Sequence, residues 1–357
     1  DAAFSNILKS DTITGGDAPI SIPVFGLSSS TVYYMRFRYK GTLSGYSAWS
    51  DSVKFTTKFS EVSGTAQAKL SAPDGAADDR FGQRVVISGD GNTIAVGAYL
   101  DDTTQTDAGS VYIYIRNGAS WTYQAKLIPG DPIASGLFGM RLSISANGNT
   151  VVVGSPGANP KGTNSGAVYV FRRNAGDGTW SQEQKVYPAD GAAGDQFGFM
   201  TSLNRDGTTF VTSSYFNDTA GTDAGCVYVY TYTAGNWTQK AKLIGPDTVA
   251  GDYFGHVVAI SADGNTIAID AVYDTDRGTN AGSVYIYILS GGVWYYQAKL
   301  LGSDTTTGDL FGRYLTLSGD GNTLLAGASE KTGVSPNSGA AYIFKRTGTT
   351  WSQQAKI

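Results

Sequence analysis

Histidine and cysteine each occur once in this chain of 357 residues, and methionine three times. A single cysteine excludes an intrachain disulfide, and it leaves the compartment open because a large β unit needs no such staple. A single histidine excludes a histidine-rich metal centre or a complete Ser/His/Asp arrangement within one chain. Charged residues make up only 16%, nearly balanced at a formal net charge of −4, with no long basic run. A nucleic-acid backbone is therefore not an expected partner. No apolar stretch reaches the roughly twenty residues of a membrane-spanning helix, so membrane insertion is not expected either. No phosphate-binding glycine loop is evident. Asp1 opens the chain abruptly, as in a processed or excerpted product.

What the chain has in quantity is glycine, 47 residues, and tyrosine, 22, among many Val, Ile, Thr and Ser. That mixture makes strands and tight turns. Phe-Gly recurs at Phe81, Phe138, Phe197, Phe254 and Phe311, at spacings of 57, 59, 57 and 57 residues. Such a period marks units that bury their apolar faces against their neighbours. In the second copy, strands are expected over 142–145, 150–155, 166–173 and 180–186, separated by Asn-Gly and Asp-Gly turn signals. Third strands such as VYIYI at 111–115 are apolar on both parities, as in a sheet covered on both faces.

The expected fold is all-β: a β-propeller of five visible four-stranded repeats of about 57 residues over 59–357. A linear all-β array is the alternative. The fourth-strand motif occurs six times, at Gln67, Gln124, Gln184, Lys240, Gln297 and Gln354, so one copy is surplus. Either further repeats follow Ile357 or the surplus strand pairs differently, which would allow self-association through terminal strands.

Residues 1–58 have another pattern. IPVFGL at 22–27, the alternation of Tyr33, Met35, Phe37 and Tyr39, then Ala48-Trp49-Ser50 and Phe55-Thr56-Thr57 resemble the latter half of a fibronectin type III module, a small N-terminal β-sandwich fragment.

The five repeats resemble FG-GAP repeats, the blade motif of integrin-type propellers. Phe-Gly opens each, and Gly97-Ala98, Gly154-Ser155-Pro156 and Gly327-Ala328 match the closing motif; Ser213-Ser214 and Asp270-Ala271 depart from it. The calcium-binding members of that family carry several oxygens and a closing carboxylate in the intervening hairpin. Here the hairpins, such as SGDGNTIAV, keep only Asp90, Asn147, Asp206, Asp263 and Asp320 with one further oxygen two residues on. Six or more ligands cannot be gathered from so short a turn. Each is read as a tight turn using positive φ at glycine.

A second set of carboxylates precedes Phe-Gly. Asp74, Asp190, Asp247 and Asp304 lie seven residues before the phenylalanine, as Asp131 does, and Asp79, Asp195, Asp252 and Asp309 lie two before it. These eight are the candidate metal positions, and calcium is the ion that oxygen ligands would take. Asp in such turns also satisfies its own backbone, and no cofactor is required.

The loops after the second strands vary while the scaffold repeats, which is how a scaffold presents a recognition surface. Tyr99, Tyr215, Tyr273, Asp276 and Arg277 are the candidate ligand contacts. His256 follows Phe254-Gly255 where other repeats have Gln83, Met140, Phe199 and Arg313, so the scaffold does not require imidazole. Cys226 stands in a small-residue position. The expectation is a non-enzymatic extracellular, cell-surface or virion-surface protein for adhesion or host attachment, with a protein or carbohydrate partner. A structural subunit of a filament, appendage or viral tail fibre is the alternative, followed by a glycoside hydrolase using paired carboxylates. Asn217-Asp218-Thr219 and Asn236-Trp237-Thr238 match the glycosylation triplet.

Overall fold

The computed structural model describes residues 68–333 and 335–357, together with four short strands nearer the N-terminus. The chain divides into two compact units, residues 1–66 and 67–357. In the first, Val32–Met35 pairs antiparallel with Val53–Thr56, and Lys40–Gly41 with Gly45–Tyr46. Two separate strand pairs do not make a sandwich, so the fibronectin-like reading gains no support from the described residues. Its Ala48-Trp49-Ser50 segment lies outside them.

The second unit is all-β, with five four-stranded antiparallel sheets, each with its strands in chain order. They are the blades of a propeller, at 84–127, 141–186, 201–243, 254–300 and 311–356. In the second blade the strands are Arg141–Ile144, Thr150–Ser155, Ala167–Arg173 and Trp180–Val186, within a residue of the sequence expectation. The innermost strands of consecutive blades pack on one another from the first blade to the fifth.

Each junction joins an aliphatic face to an aromatic one. Val111, Ile113 and Leu127 of the first blade meet Phe138, Tyr169 and Phe171 of the second. Ala268, Val284, Ile286 and Leu300 of the fourth likewise meet Phe311, Tyr342 and Phe344 of the fifth. The Phe-Gly phenylalanine stands edge-on to the third-strand tyrosine in every blade, with ring centroids 5.4, 5.5, 5.5, 5.2 and 5.3 Å apart in chain order. Emptying one such ring position to alanine costs about 3–5 kcal/mol, which is why these positions repeat.

Backbone hydrogen bonds lock the same junctions. The amides of Ser135, Leu137 and Phe138 donate to the carbonyls of Thr106, Asp107 and Ala108 in the preceding blade, at 2.8, 3.1 and 3.0 Å. The recurrent Asp/Asn, Ala/Ser, Gly ending of the variable loops is therefore a blade-to-blade clasp. Its glycine is steric as well: a Cβ on Gly109 would fall 2.1 Å from the Phe138 carbonyl oxygen. The closing-motif glycine has the same origin, because a Cβ on Gly154 would fall 2.0 Å from the Gly198 oxygen of the next blade.

The two ends of the blade series lack that cover. Leu70, Ala72 and Phe81 lie on the aromatic face of the first blade, but Val85 and Ile87 remain 53% and 56% exposed. On the aliphatic side of the fifth, Tyr314 and Leu325 are 65% and 40% exposed. The surplus fourth-strand copy forms no strand over residues 68–72; its Leu70 packs beside Tyr112 instead.

Candidate functional site

The carboxylates seven residues before Phe-Gly are each held between a tyrosine and a lysine. Asp74 accepts from the Tyr112 hydroxyl at 2.7 Å and from the Lys126 ammonium at 2.8 Å. Asp190 is bound by Tyr228 and Lys242, Asp247 by Tyr285 and Lys299, and Asp304 by Tyr342 and Lys356. The Lys126 and Lys356 ammonium groups hold Asp74 and Asp304 below the usual carboxylate range. At Asp190 and Asp247 burial pushes the other way and is outweighed by Lys242 and Lys299. A cation at these positions would have to displace an ammonium already there. Asp79, Asp195, Asp252 and Asp309 are buried and accept from the amide three residues back in their own turns, at 2.6, 3.0, 2.8 and 2.6 Å. Among the described residues, no group of three or more His, Cys, Asp or Glu side chains is arranged to hold a metal ion. The hairpin oxygens are likewise used locally: Asp263 accepts from the Asn265 amide at 3.0 Å, and Gly264 has φ of 75°.

Of the loop candidates, Tyr215 and Tyr273 come together through Tyr253, which lies 5.7 Å from one ring and 5.1 Å from the other. Phe199 stacks on Tyr215 at 3.9 Å, and Phe216 adjoins it at 4.1 Å. Asp276 is instead tied to Lys299 at 2.6 Å, and Arg277 donates to the Ser303 carbonyl at 3.3 Å. Tyr99 is half-buried just after the second strand of the first blade.

The residues just after Phe-Gly build the rest of this aromatic cluster. They begin the innermost strands, so successive blades present them side by side at one end of the axis. Arg141 lies over the Phe199 ring at 5.3 Å, and His256 stands 5.8 Å from the same ring. The imidazole Nδ1 is 3.5 Å from Oδ2 of Asp270. Asp270 is fully buried and accepts from the Val257 amide at 2.6 Å; burial pushes its pKa up, with His256 opposing. Beside the cluster, a shallow recess of about 290 Å³ is lined by Gln196, Phe216, Asp218 and Asp223.

A five-copy motif that spans both the Phe-Gly turn and the clasp glycine decides the family. The family model for the FG-GAP repeat matches residues 65–114, 121–171, 180–230, 237–287 and 294–344. The chain belongs to the FG-GAP repeat family.

The second to fifth FG-GAP matches each begin on the outer strand of one blade and continue through three strands of the next, and the first begins in the same phase of the repeat, at the fourth-strand motif of Gln67. A search of curated proteins gave no match. Among solved structures, the chain is similar to a functionally unknown protein from Desulfotomaculum acetoxidans, with 12% identity, a TM-score of 0.48 and coverage of 76% of this chain and 68% of that one. Sqt1 of Chaetomium thermophilum, bound to the N-terminus of ribosomal protein L10, gives 15%, 0.45, 75% and 59%. TolB of Acinetobacter baumannii gives 14%, 0.40, 75% and 52%.

Where the FG-GAP motif departs from its closing glycine, the replacement side chain serves the inner strand. The Ser213 hydroxyl accepts from the Met200 amide at 3.2 Å, as Asp270 does from Val257. Arg84, Arg141, Phe199, Tyr253 and Asp270 are the cluster members that the sequence candidates omit. The available signal is that the first position after each invariant Phe-Gly changes type in every blade, while the second is arginine in the first two blades and apolar or aromatic in the rest. Of the glycosylation triplets, Asn217 is buried and donates to Asp195 at 2.9 Å, whereas Asn236 is exposed. Among the described residues no helix is long and apolar enough to cross a membrane.

Proposed function

We propose that this FG-GAP propeller is a non-enzymatic recognition module acting at an extracellular, cell or virion surface, with a carbohydrate or protein partner. The observation that carries the reading is the convergence of Phe199, Tyr215, Phe216, Tyr253 and Tyr273 from loops and turns of neighbouring blades onto one end of the axis. The partly exposed rings of Tyr215, Phe216, Tyr253 and Tyr273, seated on the buried Phe199, suit stacking against a sugar ring or an apolar side chain.

The reactive groups support the same reading. Burial pushes the Cys226 thiol up to about 12, which leaves almost no thiolate at neutral pH. Burial also raises Asp252 and Asp270, as a glycosidase acid would require, but both are buried, Asp252 in its own turn and Asp270 inside its blade. The direct test is a glycan and peptide array probed with the labelled chain, alongside assays on chromogenic glycosides. Selective binding that is lost in Tyr215→Ser/Tyr253→Ser supports the reading, and turnover of a glycoside overturns it.

Assembly is the second reading, favoured by the apolar side chains left uncovered at both ends of the blade series. One end is the aromatic half and the other the aliphatic half of an internal junction, so the two ends of separate copies are complementary in kind. Light scattering across a concentration series decides it: a monomer throughout contradicts assembly.

A further inference from the structure

The axial mouth carries two arginines with no acid to answer them. Arg84 and Arg141 hold the same place in adjacent blades, each opening its innermost strand, opposite Gly97 and Gly154. Among the described residues, neither forms a salt bridge with any carboxylate. The buried Nε of Arg84 has no hydrogen-bond partner, and Arg141 donates to the backbone carbonyl of Met140 at 3.0 Å while its guanidinium covers Phe199. The other charges at this mouth are already engaged. Arg313 faces Glu330 at 3.6 Å, and Asp270 faces His256 from inside its blade. Burial and the neighbouring charge of Arg84 pull Arg141 below the ordinary arginine range, as expected of two cations held together without a counter-ion. The chain as a whole has a formal net charge of −4, so this concentration of positive charge is a local feature.

The geometry points to an anion clamp formed by Arg84 and Arg141, which takes the carboxylate or sulfate of an acidic saccharide whose ring lies against the half-buried Tyr215 and Tyr253. This rests on the recognition reading above and names its ligand class. Guanidinium groups meet planar or tetrahedral oxyanions through paired N–H donors, and such charge-assisted bonds strengthen where water is partly excluded. The phenol hydroxyls of Tyr215 and Tyr253 supply donors for the sugar hydroxyls. A saccharide is favoured over an acidic peptide because the buried Phe199 ring under Arg141 leads directly to the partly exposed aromatic surface of Tyr215, Tyr253 and Tyr273.

The test uses the full chain and three probes of matched length in calorimetry: an oligogalacturonide, its methyl-esterified neutral form, and a heparin-derived sulfated oligosaccharide. The expected result is that at least one anionic probe binds about tenfold or more tighter than the neutral one, with each of Arg84→Met and Arg141→Met removing about that factor. The carboxylate and sulfate arms show which source of the anion is preferred. Arg313→Met, whose guanidinium already faces Glu330, should leave the preference intact. Arg141→Lys keeps the charge without the fork and should lose part of it, which covers the case of a methionine variant that misfolds. Equal affinity for charged and neutral probes, with binding still dependent on Tyr215, overturns the clamp and leaves the recognition reading standing. Binding of none of the saccharides, or of acidic peptides alone, overturns both the clamp and its ligand class.

Discussion

The Tyr112 hydroxyl donates to Asp74 at 2.7 Å from thirty-eight residues away, and the same bond at the same separation joins tyrosine to aspartate in all five blades. It ties the middle of each sheet to the segment leading into its own Phe-Gly turn, and lysine closes the arrangement from the fourth strand. Tyr285→Phe removes the hydroxyl alone and leaves the Phe254 contact. The expected loss is about 1–2 kcal/mol in urea unfolding, while Phe254→Ala loses about 3–5 kcal/mol. Equal losses would show that the hydroxyl, rather than the ring, holds the blade.

Lys299 reaches Asp247, Asp274 and Asp276 at 2.8, 2.7 and 2.6 Å, and Asp274 is nearly inaccessible to solvent. Lys299→Met leaves that buried carboxylate without its counter-ion, and the expected loss is about 3 kcal/mol at pH 7. The difference between the two proteins should narrow as pH falls through the lowered range of Asp247, which Lys299 also holds, and a pH series of urea midpoints measures it.

Acid sensitivity follows from the same lysines. At Asp101 burial acts upward but is outweighed by Lys126 and Thr103, so its pKa falls to about 2; Asp74, Asp190, Asp247 and Asp304 are also lowered. Carboxylates depressed in the folded state contribute stability that is fully present above their unfolded pKa, about 4, and is lost as pH falls through the folded value. The melting temperature should therefore fall steadily from about pH 4 toward pH 2. Lys126→Met should make that slope shallower.

Asp270 has the opposite sign. Its raised folded pKa contributes stability that is full below the unfolded pKa and is lost as pH rises through the folded one. Asp270→Asn keeps the acceptor for the Val257 amide and offers an N–H toward His256 Nδ1. Thermal unfolding should show the variant more stable at pH 7 by about 1 kcal/mol, with the gain shrinking at pH 4. A destabilised variant at pH 7 would mean that the His256 pair outweighs the burial of the charge.

The clasp explains the closing glycine and gives a steric test. Gly154→Ala places a methyl 2.0 Å from a carbonyl oxygen of the next blade, whereas Gly194 has φ of +89° and open space around it. The first substitution should cost about 3 kcal/mol and the second about 1 kcal/mol, read by chemical unfolding.

Blade boundaries and strands are legible in the sequence because turn chemistry and two-faced apolar strands repeat with it. The acid column is legible too, but its counter-ions are not: Lys126 lies fifty-two residues beyond Asp74 and belongs to a motif that reads only as a fourth strand. Tyr215 and Tyr273 stand out as variable loop aromatics, yet Arg84, Arg141 and Phe199 do not. Arg84 and Arg141 open strands and Phe199 sits in the bend just before one, so all three resemble packing positions until the blades are set side by side. Asp276 and Arg277 look equally exposed in sequence and are instead tied to Lys299 and to the Ser303 carbonyl.

The central claim is that recognition resides at the axial mouth rather than along the outer loops. The most direct measurement compares the affinity of one array-selected ligand for the wild type, for Tyr215→Ser/Tyr253→Ser, and for Asp276→Ala/Arg277→Ala, with each fold checked by its melting temperature. The account predicts that the first pair loses at least about tenfold in affinity while the second stays within about twofold of the wild type. Undiminished binding by the Tyr215/Tyr253 variant, with loss in the Asp276/Arg277 variant, would contradict it.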